Sequence, residues 1–501
     1  MTMRRLRPLF LAGAMCAALA AEAPAQEAGN TLEIVSGPVL TIDGAIRLAL
    51  ERNKSLKVTS FERPLASAEL LTARGQFDPA LVFNRSTQEQ YEDATTSPPP
   101  LIESIKTDVY SLFLGGQTPI GTTYSIGANT YNTRYLYNGF VANYQSFGGV
   151  NITQHLLKGF GFDANLANVR IAKAQRSISD YDYRSSAINT VTNVVIAYSN
   201  LQFAHDALDV ARRTRGLAQE LLDDNEKSVK IGSLAQSDVI QARSQVASDE
   251  ESVLIYERQV RDSENALREL IGEETFFEDK PLFTLQAVVA PEVTVDRRAD
   301  LKRAFEMRPD YQAARLGIVQ RRATEAEARN GLLPQVDFVG GYGYNGLAST
   351  FSASRQMVAD RMNPSYSAGV AVTLPLTFAV ARGTERTARL QREQAEELLR
   401  QSEADIAVQV ATAEGQVETT RKRVAADRKA YALANQALDA EEKKKKAGTS
   451  TTLAVEQEQQ FLATVEFNVS NALANERQAV ATYDQALGTT LERYHIKLTD
   501  E

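Results

Sequence analysis

The sequence predicts a mixed α and β fold, a tandem duplicated repeat of long coiled helical hairpins with strands of about ten residues set into each copy. Three observations predict it. The stretch from Arg170 to Gly272 recurs without a gap from Arg386 to Gly488, and Gln175 with Gln391 and Gly232 with Gly448 keep the same spacing of 216 positions. Each copy is proline-free, rich in Ala, Gln, Glu and Arg, and broken near its last third by one glycine, in Val229-Lys-Ile-Gly-Ser-Leu-Ala and in Lys445-Lys-Ala-Gly-Thr-Ser-Thr. Ahead of each long stretch the composition shifts to Tyr, Phe, Thr, Ser, Asn and Gly, and side chains begin to alternate.

The first helix of the first copy starts at Thr41-Ile-Asp-Gly, with Thr41 or Asp43 as cap, breaks near Asn53, resumes to about Arg74 and ends at Gly75 before Phe77-Asp-Pro. Its counterpart runs from Ala299 through Pro309 to Arg329, with Arg52 matching Arg308 and Gly75 matching Gly331, each 256 positions on. Strands are expected near 77–90, 107–118, 122–135, 143–157, 335–345 and 366–374, with exposed loops at 91–105 and 346–363. The last strand is the clearest. Tyr366, Ala368, Val370, Val372 and Leu374 share one face, and Ser367, Gly369, Ala371 and Thr373 the other. The clustered tyrosines Tyr131, Tyr135, Tyr137, Tyr144, Tyr342 and Tyr344 suit an aromatic girdle at a membrane interface, and a soluble sheet with one wet face fits the alternation equally.

The long helices follow. Apolar residues recur in steps of three and four through Ile171, Ala174, Ile178 and Tyr181, then Ile188, Val191, Val195 and Tyr198, then Leu201, Ala204, Leu208 and Ala211. A helix from about Asn165 to Ile231 would be on the order of 100 Å long, and its narrow seam demands neighbours of its own kind. The expected organisation is a signal at 1–25, a lead-in at 26–40, and a first repeat at 41–280 with strands about 77–157 and long helices about 165–272. A linker at 281–296 leads to a second repeat at 297–491, with strands about 335–376 and long helices about 382–488, and a tail at 492–501.

The opening Met1-Thr-Met-Arg-Arg-Leu-Arg, the apolar run after it and Ala23-Pro-Ala-Gln form a secretory signal cleaved after Ala25, so the chain is exported. Residues 1–25 carry three arginines and one glutamate, so their removal takes the formal charge from −8 to −10, which argues against nucleic acid. The only cysteine, Cys16, lies in the signal, where Gly13 and Met15 fit a lipid-attachment site badly; without it, disulfides and thiolate metal sites are excluded. No apolar run after the signal reaches membrane-helix length, so any bilayer crossing is made by strands.

The order short helix, strands, long helix, glycine turn, helix, duplicated in an exported chain, resembles the TolC-type outer-membrane efflux proteins over nearly the whole mature sequence. Leu156-Leu-Lys-Gly-Phe-Gly-Phe-Asp-Ala-Asn, Ala197-Tyr198-Ser-Asn-Leu and Lys230-Ile-Gly-Ser-Leu-Ala-Gln-Ser-Asp-Val carry the likeness. The resemblance implies a homotrimer in outer-membrane lipid, its strands closed into one shared β-barrel and its helices into a periplasmic α-barrel. It implies a passive exit duct of a tripartite efflux or type I secretion system, for drugs, small molecules or polypeptides. It also implies a periplasmic adaptor protein and, through it, an inner-membrane transporter of the RND, ABC or MFS kind. The adaptor contact falls on the two glycine turns, at Lys230, Gly232, Ser233 and Leu234 and at Lys446, Gly448, Thr449 and Ser450. Asp238 matches an acidic position near the family's pore constriction. In the second repeat the family's Tyr and two Asp are replaced by Lys445, Ala454 and Gln457, so the family's acidic ring is absent here or displaced to Glu456 or Glu458. The first repeat has room for a hairpin beyond the two strands per repeat that would make twelve in a trimer.

The three histidines, His155, His205 and His495, lie far apart in the sequence, and no phosphate loop or dinucleotide fingerprint occurs, so the expectation is no enzyme, no cofactor and no metal. The alternative is a periplasmic coiled-coil structural or adaptor protein with a soluble sheet.

Overall fold

The computed structural model describes residues 39–93, 102–135, 139–232, 235–272, 283–284 and 290–498. The expected signal with Cys16, Tyr137, and the tip residues Ser233 and Leu234 lie outside them.

A two-residue strand, β1 (Val39–Leu40), precedes α1 (Ile42–Arg52), α2 (Lys54–Ser60) and α3 (Glu62–Gly75). Four strands follow, β2 (Ala80–Asp93), β3 (Ile102–Gln117), β4 (Thr122–Tyr135) and β5 (Tyr144–His155). One turn of helix, α4 (Phe162–Asn165), leads into α5 (Ala167–Lys230) and its return α6 (Gln236–Ile271). The second half repeats the plan after β6 (Phe283–Thr284), with α7 (Arg297–Met307), α8 (Pro309–Asn330), β7 (Gln335–Ala348), α9 (Phe351–Ala359), β8 (Pro364–Thr373), α10 (Ala379–Lys446), α11 (Thr452–Leu487) and α12 (Thr490–Arg493).

The break near Asn53 is a cap: its side chain accepts from the Leu56 amide and so starts α2. Gly75 does not end α3 by a left-handed turn. It is the last helical residue and does not have positive φ, and Gly331, the cap of α8, has φ −60°, so Pro79 and Pro334 are what the chain cannot continue through. The 64 residues of α5 and 68 of α10 make rods of about 96 and 102 Å. Their seams bury as the spacing requires. From Ile188 to Ala211 the α5 stripe is enclosed, with Tyr198 and Leu201 fully buried against Ala45 and Ile46 of α1 and Leu267 and Ile271 of α6. The second copy builds the equivalent core from Ile406, Val410 and Val417 of α10, Val480 and Tyr483 of α11, and Ala304 of α7.

The six longer strands form one antiparallel sheet in the order β2-β3-β4-β5-β7-β8. Among the described residues the first repeat therefore contributes four strands to this sheet, and the chain six. The ends of the loop expected at 91–105 are strand, since the β2–β3 ladder continues to Asp93 and Ile102, and the positions between them lie outside the described residues. The loop expected at 346–363 contains α9, which Thr350 caps by accepting from the Ala353 amide and which packs on the sheet through the fully buried Ser354. Contacts across the sheet, absent from local periodicity, create that helix.

Register sorts the two faces. One cross-strand row reads Leu81, Leu114, Ile126, Val150, Tyr342, Tyr366, and the next reads Phe83, Leu112, Ala128, Gly148, Tyr344, Pro364. The opposite face reads Ala80, Gly115, Ser125, Asn151, Gly341, Ser367. The expected girdle divides accordingly. Tyr144, Tyr342 and Tyr344 lie on the apolar face, whereas Tyr131 and Tyr135 pair with Gln145 and Ile105 on the small-residue face.

Candidate functional site at the helix tips

The end of the molecule remote from the sheet is made by two helix reversals. In the second, the Gly448 amide donates to Lys445 O at 3.0 Å and the Thr449 amide to Lys444 O at 3.0 Å, the paired bonds of a Schellman cap, which needs the left-handed residue that Gly448 supplies at φ +76°. Gly232 has the same φ of +76° and donates to Val229 O at 2.9 Å. A side-chain carbon at either glycine would meet nothing within 4 Å, so both glycines stand in open space.

Lys230 and Lys446 are exposed in the last turns of α5 and α10. Thr449 donates from Oγ1 to Lys444 O at 3.1 Å and Ser450 from Oγ to Glu441 Oε1, which tie the loop to the end of α10. Glu441 also pairs with Lys444 at 2.8 Å, and these bonds hold its carboxyl below the ordinary range. Lys445 is half-buried, and burial lowers its ammonium below the usual lysine value, with Asp224 of α5 opposing the shift. Lys445 thus lies toward the neighbouring hairpin.

Asp238 sits half-buried in the first turn of α6, one turn before Gln241. Gln241 donates from Nε2 to Glu456 Oε2 at 3.3 Å across to α11. Glu456 is buried between the helices, and burial raises its carboxyl, with Asp249 adding to the shift. Asp249 of α6 is itself buried and raised by burial; Gln245 donates to its Oδ1 at 2.9 Å. Sequence spacing missed Asp249, Gln241 and Gln245, because nothing in one helix reports which turn lies against another helix. Higher up, buried Arg477 of α11 bonds Gln202 Oε1 of α5, and burial pulls its guanidinium down while Asp206 holds it up. Among the described residues no group of His, Cys, Asp or Glu side chains is arranged to hold a metal ion, and no helix is long and apolar enough to cross a membrane.

A family model for outer membrane efflux proteins matches residues 45–273 and 301–489, both repeats with their strands and long hairpins. The chain belongs to the outer membrane efflux protein family. It is 23% identical over 349 residues to outer membrane protein TolC of Vibrio cholerae, covering 69% of this chain and 77% of that one. It is 26% identical over 235 residues to the fusaric acid resistance protein FusA of Burkholderia cepacia, covering 46% of this chain and 42% of FusA. The outer-membrane channel OprN shares the fold with a TM-score of 0.69 at 15% identity, covering 89% of this chain and 90% of OprN. VceC of Vibrio cholerae does so with a TM-score of 0.65 at 18% identity, covering 89% and 96%. This efflux-family chain is a non-enzymatic outer-membrane channel of a Gram-negative bacterium, with its helices in the periplasm. The assignment replaces the alternative of a periplasmic coiled-coil or adaptor protein.

Proposed function

We propose that the protein is a homotrimeric, passive exit duct whose barrel is built from three copies of the six-stranded sheet, eighteen strands in all. The observation that carries this reading is the sheet itself: an apolar band running across one face, and two edges, β2 and β8, unpaired among the described residues. A spanning sheet in lipid cannot leave edges open, so β8 of one copy pairs with β2 of the next. The ten residues of β8, about 33 Å in length and tilted, suit the hydrocarbon core. The long helices support the same assembly, because exposed apolar side chains such as Leu398, Val408, Leu433 and Leu254 need neighbours on adjacent copies.

In this reading the tips, with Lys230, Gly232, Ser233 and Leu234 and with Lys446, Gly448, Thr449 and Ser450, meet the periplasmic adaptor, and an RND, ABC or MFS transporter of the inner membrane supplies the energy. Asp238 stands at the entrance to the duct. Glu456 holds α11 against α6 through Gln241, acting from within the helix wall. Drugs, small molecules or secreted polypeptides are the cargo. The test is native mass of protein extracted from outer membranes in mild detergent, followed by single-channel conductance. Three copies and a conducting pore are expected; a detergent-free monomer overturns the duct.

A further inference from the structure

Above the apolar band the lipid-side face of the sheet changes character within one step. Beyond the row containing Phe83, Leu112 and Tyr344, the next row pairs Arg85 with Tyr110, Tyr110 with Thr130, Thr130 with Ser146 and Ser146 with Gly346. This end of the strands is the one away from the helices, hence the outer surface of the membrane. Here α9 is seated on the sheet. Ser354 Oγ donates to Gly346 O at 3.0 Å and lies 2.7 Å from Ser146 Oγ, and a side-chain carbon on Gly346 would stand 1.9 Å from Ser354 O.

The seating brings rings and cations together. Phe351 lies edge-on to Tyr110 at 5.3 Å and to Tyr144 at 6.0 Å. The Arg85 guanidinium lies 5.4 Å from the Tyr110 ring centre and that of Arg355 lies 5.4 Å from the Phe351 ring centre. The nearby acids are engaged elsewhere, Asp108 by Arg134 at 2.5 Å and Glu89 by Lys106 at 3.1 Å. Neither Arg85 nor Arg355 has a carboxylate partner among the described residues. Two guanidiniums are thus held on aromatic ledges, exposed, directly above a surface that contacts acyl chains.

We propose that this cluster is a binding site for the phosphate groups of a phosphorylated lipid of the outer leaflet, with α9 as its ledge. Aromatic rings at the boundary and arginines just above them match the order of acyl chain, interface and anionic headgroup, and an arginine fork suits phosphate oxygens. The proposal rests on the outer-membrane location and on the barrel reading that turns the apolar face of the sheet to lipid, and it is independent of the adaptor and cargo readings.

The experiment is native mass spectrometry of the detergent-purified protein with lipid A, with lipid A stripped of its phosphates, and with inorganic phosphate as competitor. The wild-type protein is expected to retain phosphorylated lipid A roughly ten- to thirty-fold more than the stripped form, and Arg85→Ala with Arg355→Ala is expected to abolish the preference. Equal retention of the two lipids by the wild-type protein overturns the proposal, whether or not the double variant assembles. Retention of the preference by an assembled double variant overturns it too. Complete displacement by inorganic phosphate overturns the lipid assignment in favour of a free-anion site.

Discussion

Replacing Gly272 by alanine is expected to destabilise the protein far more than the same change at Gly232, although both glycines have positive φ, +66° and +76°. The left-handed conformation costs an alanine about 1–2 kcal/mol at either position. At Gly232 nothing further is added, because the new carbon meets no atom within 4 Å. At Gly272 it stands 2.4 Å from Arg52 O and 2.7 Å from Arg52 C, both backbone atoms at the junction of α1 and α2. That junction must retreat by about 1 Å to reach ordinary contact, which strains the bond from Asn53 Nδ2 to Leu270 O, 2.8 Å in the native chain. Overpacking of this kind adds about 1–3 kcal/mol, so the total is about 2–5 kcal/mol against about 1–2 at the tip. Denaturant titration of the detergent-solubilised protein, followed by far-ultraviolet circular dichroism, reads the difference. Equal shifts for the two variants would refute the reasoning, since the close approach at Arg52 would then carry no energy.

Other outcomes are equally specific. Arginine at Val370 or Val372 places a charge on the apolar face, which the proposed barrel turns to lipid, and should impair assembly by about 2–4 kcal/mol at mid-membrane depth; trimer yield in outer-membrane extracts measures it, and a normal yield removes β8 from lipid. Glutamate at Gly232 or Gly448 should lower export while sparing assembly, and unchanged export in a cell-based efflux assay excludes the tips from the mechanism. Burial holds Glu456 and Asp249 above the ordinary carboxylate range, so each favours folding when protonated, and that stability is lost as pH rises through the raised value. Glu456→Gln and Asp249→Asn should therefore exceed the wild type in stability at neutral pH, with the gap closing as pH falls to about 4; an offset constant with pH would count against this. Tyr483→Phe removes the 2.6 Å bond to buried Asp300 Oδ2 and should cost about 1–3 kcal/mol by the same titration.

Much of the molecule was legible in the chain because it is a matter of local period. The 216-residue register, the proline-free stretches and the seam from Ile188 to Ala211 specify two long hairpins, and Gly232 and Gly448 mark reversals that require a left-handed residue. Alternation from Tyr366 to Thr373 specifies a strand and its two faces. Tertiary structure decided the rest, because it depends on which elements touch. The ladder from Ala80 to Asp93 persists through polar residues only because β3 supplies partners. The helix from Phe351 to Ala359 exists on the surface of β5 and β7, where Ser354 finds Ser146, and its nine residues alone are too few to be stable. Gly272 and Gly488 look like Gly232 and Gly448 in sequence, yet the first pair closes against Arg52 and Arg308 while the second stands open. Burial of Glu456 beside Gln241 is likewise invisible to periodicity, because the rotation of α11 about its axis is set by packing against α10 and α5. Period reports the face of an element, and only contact with its neighbours reports what that face meets.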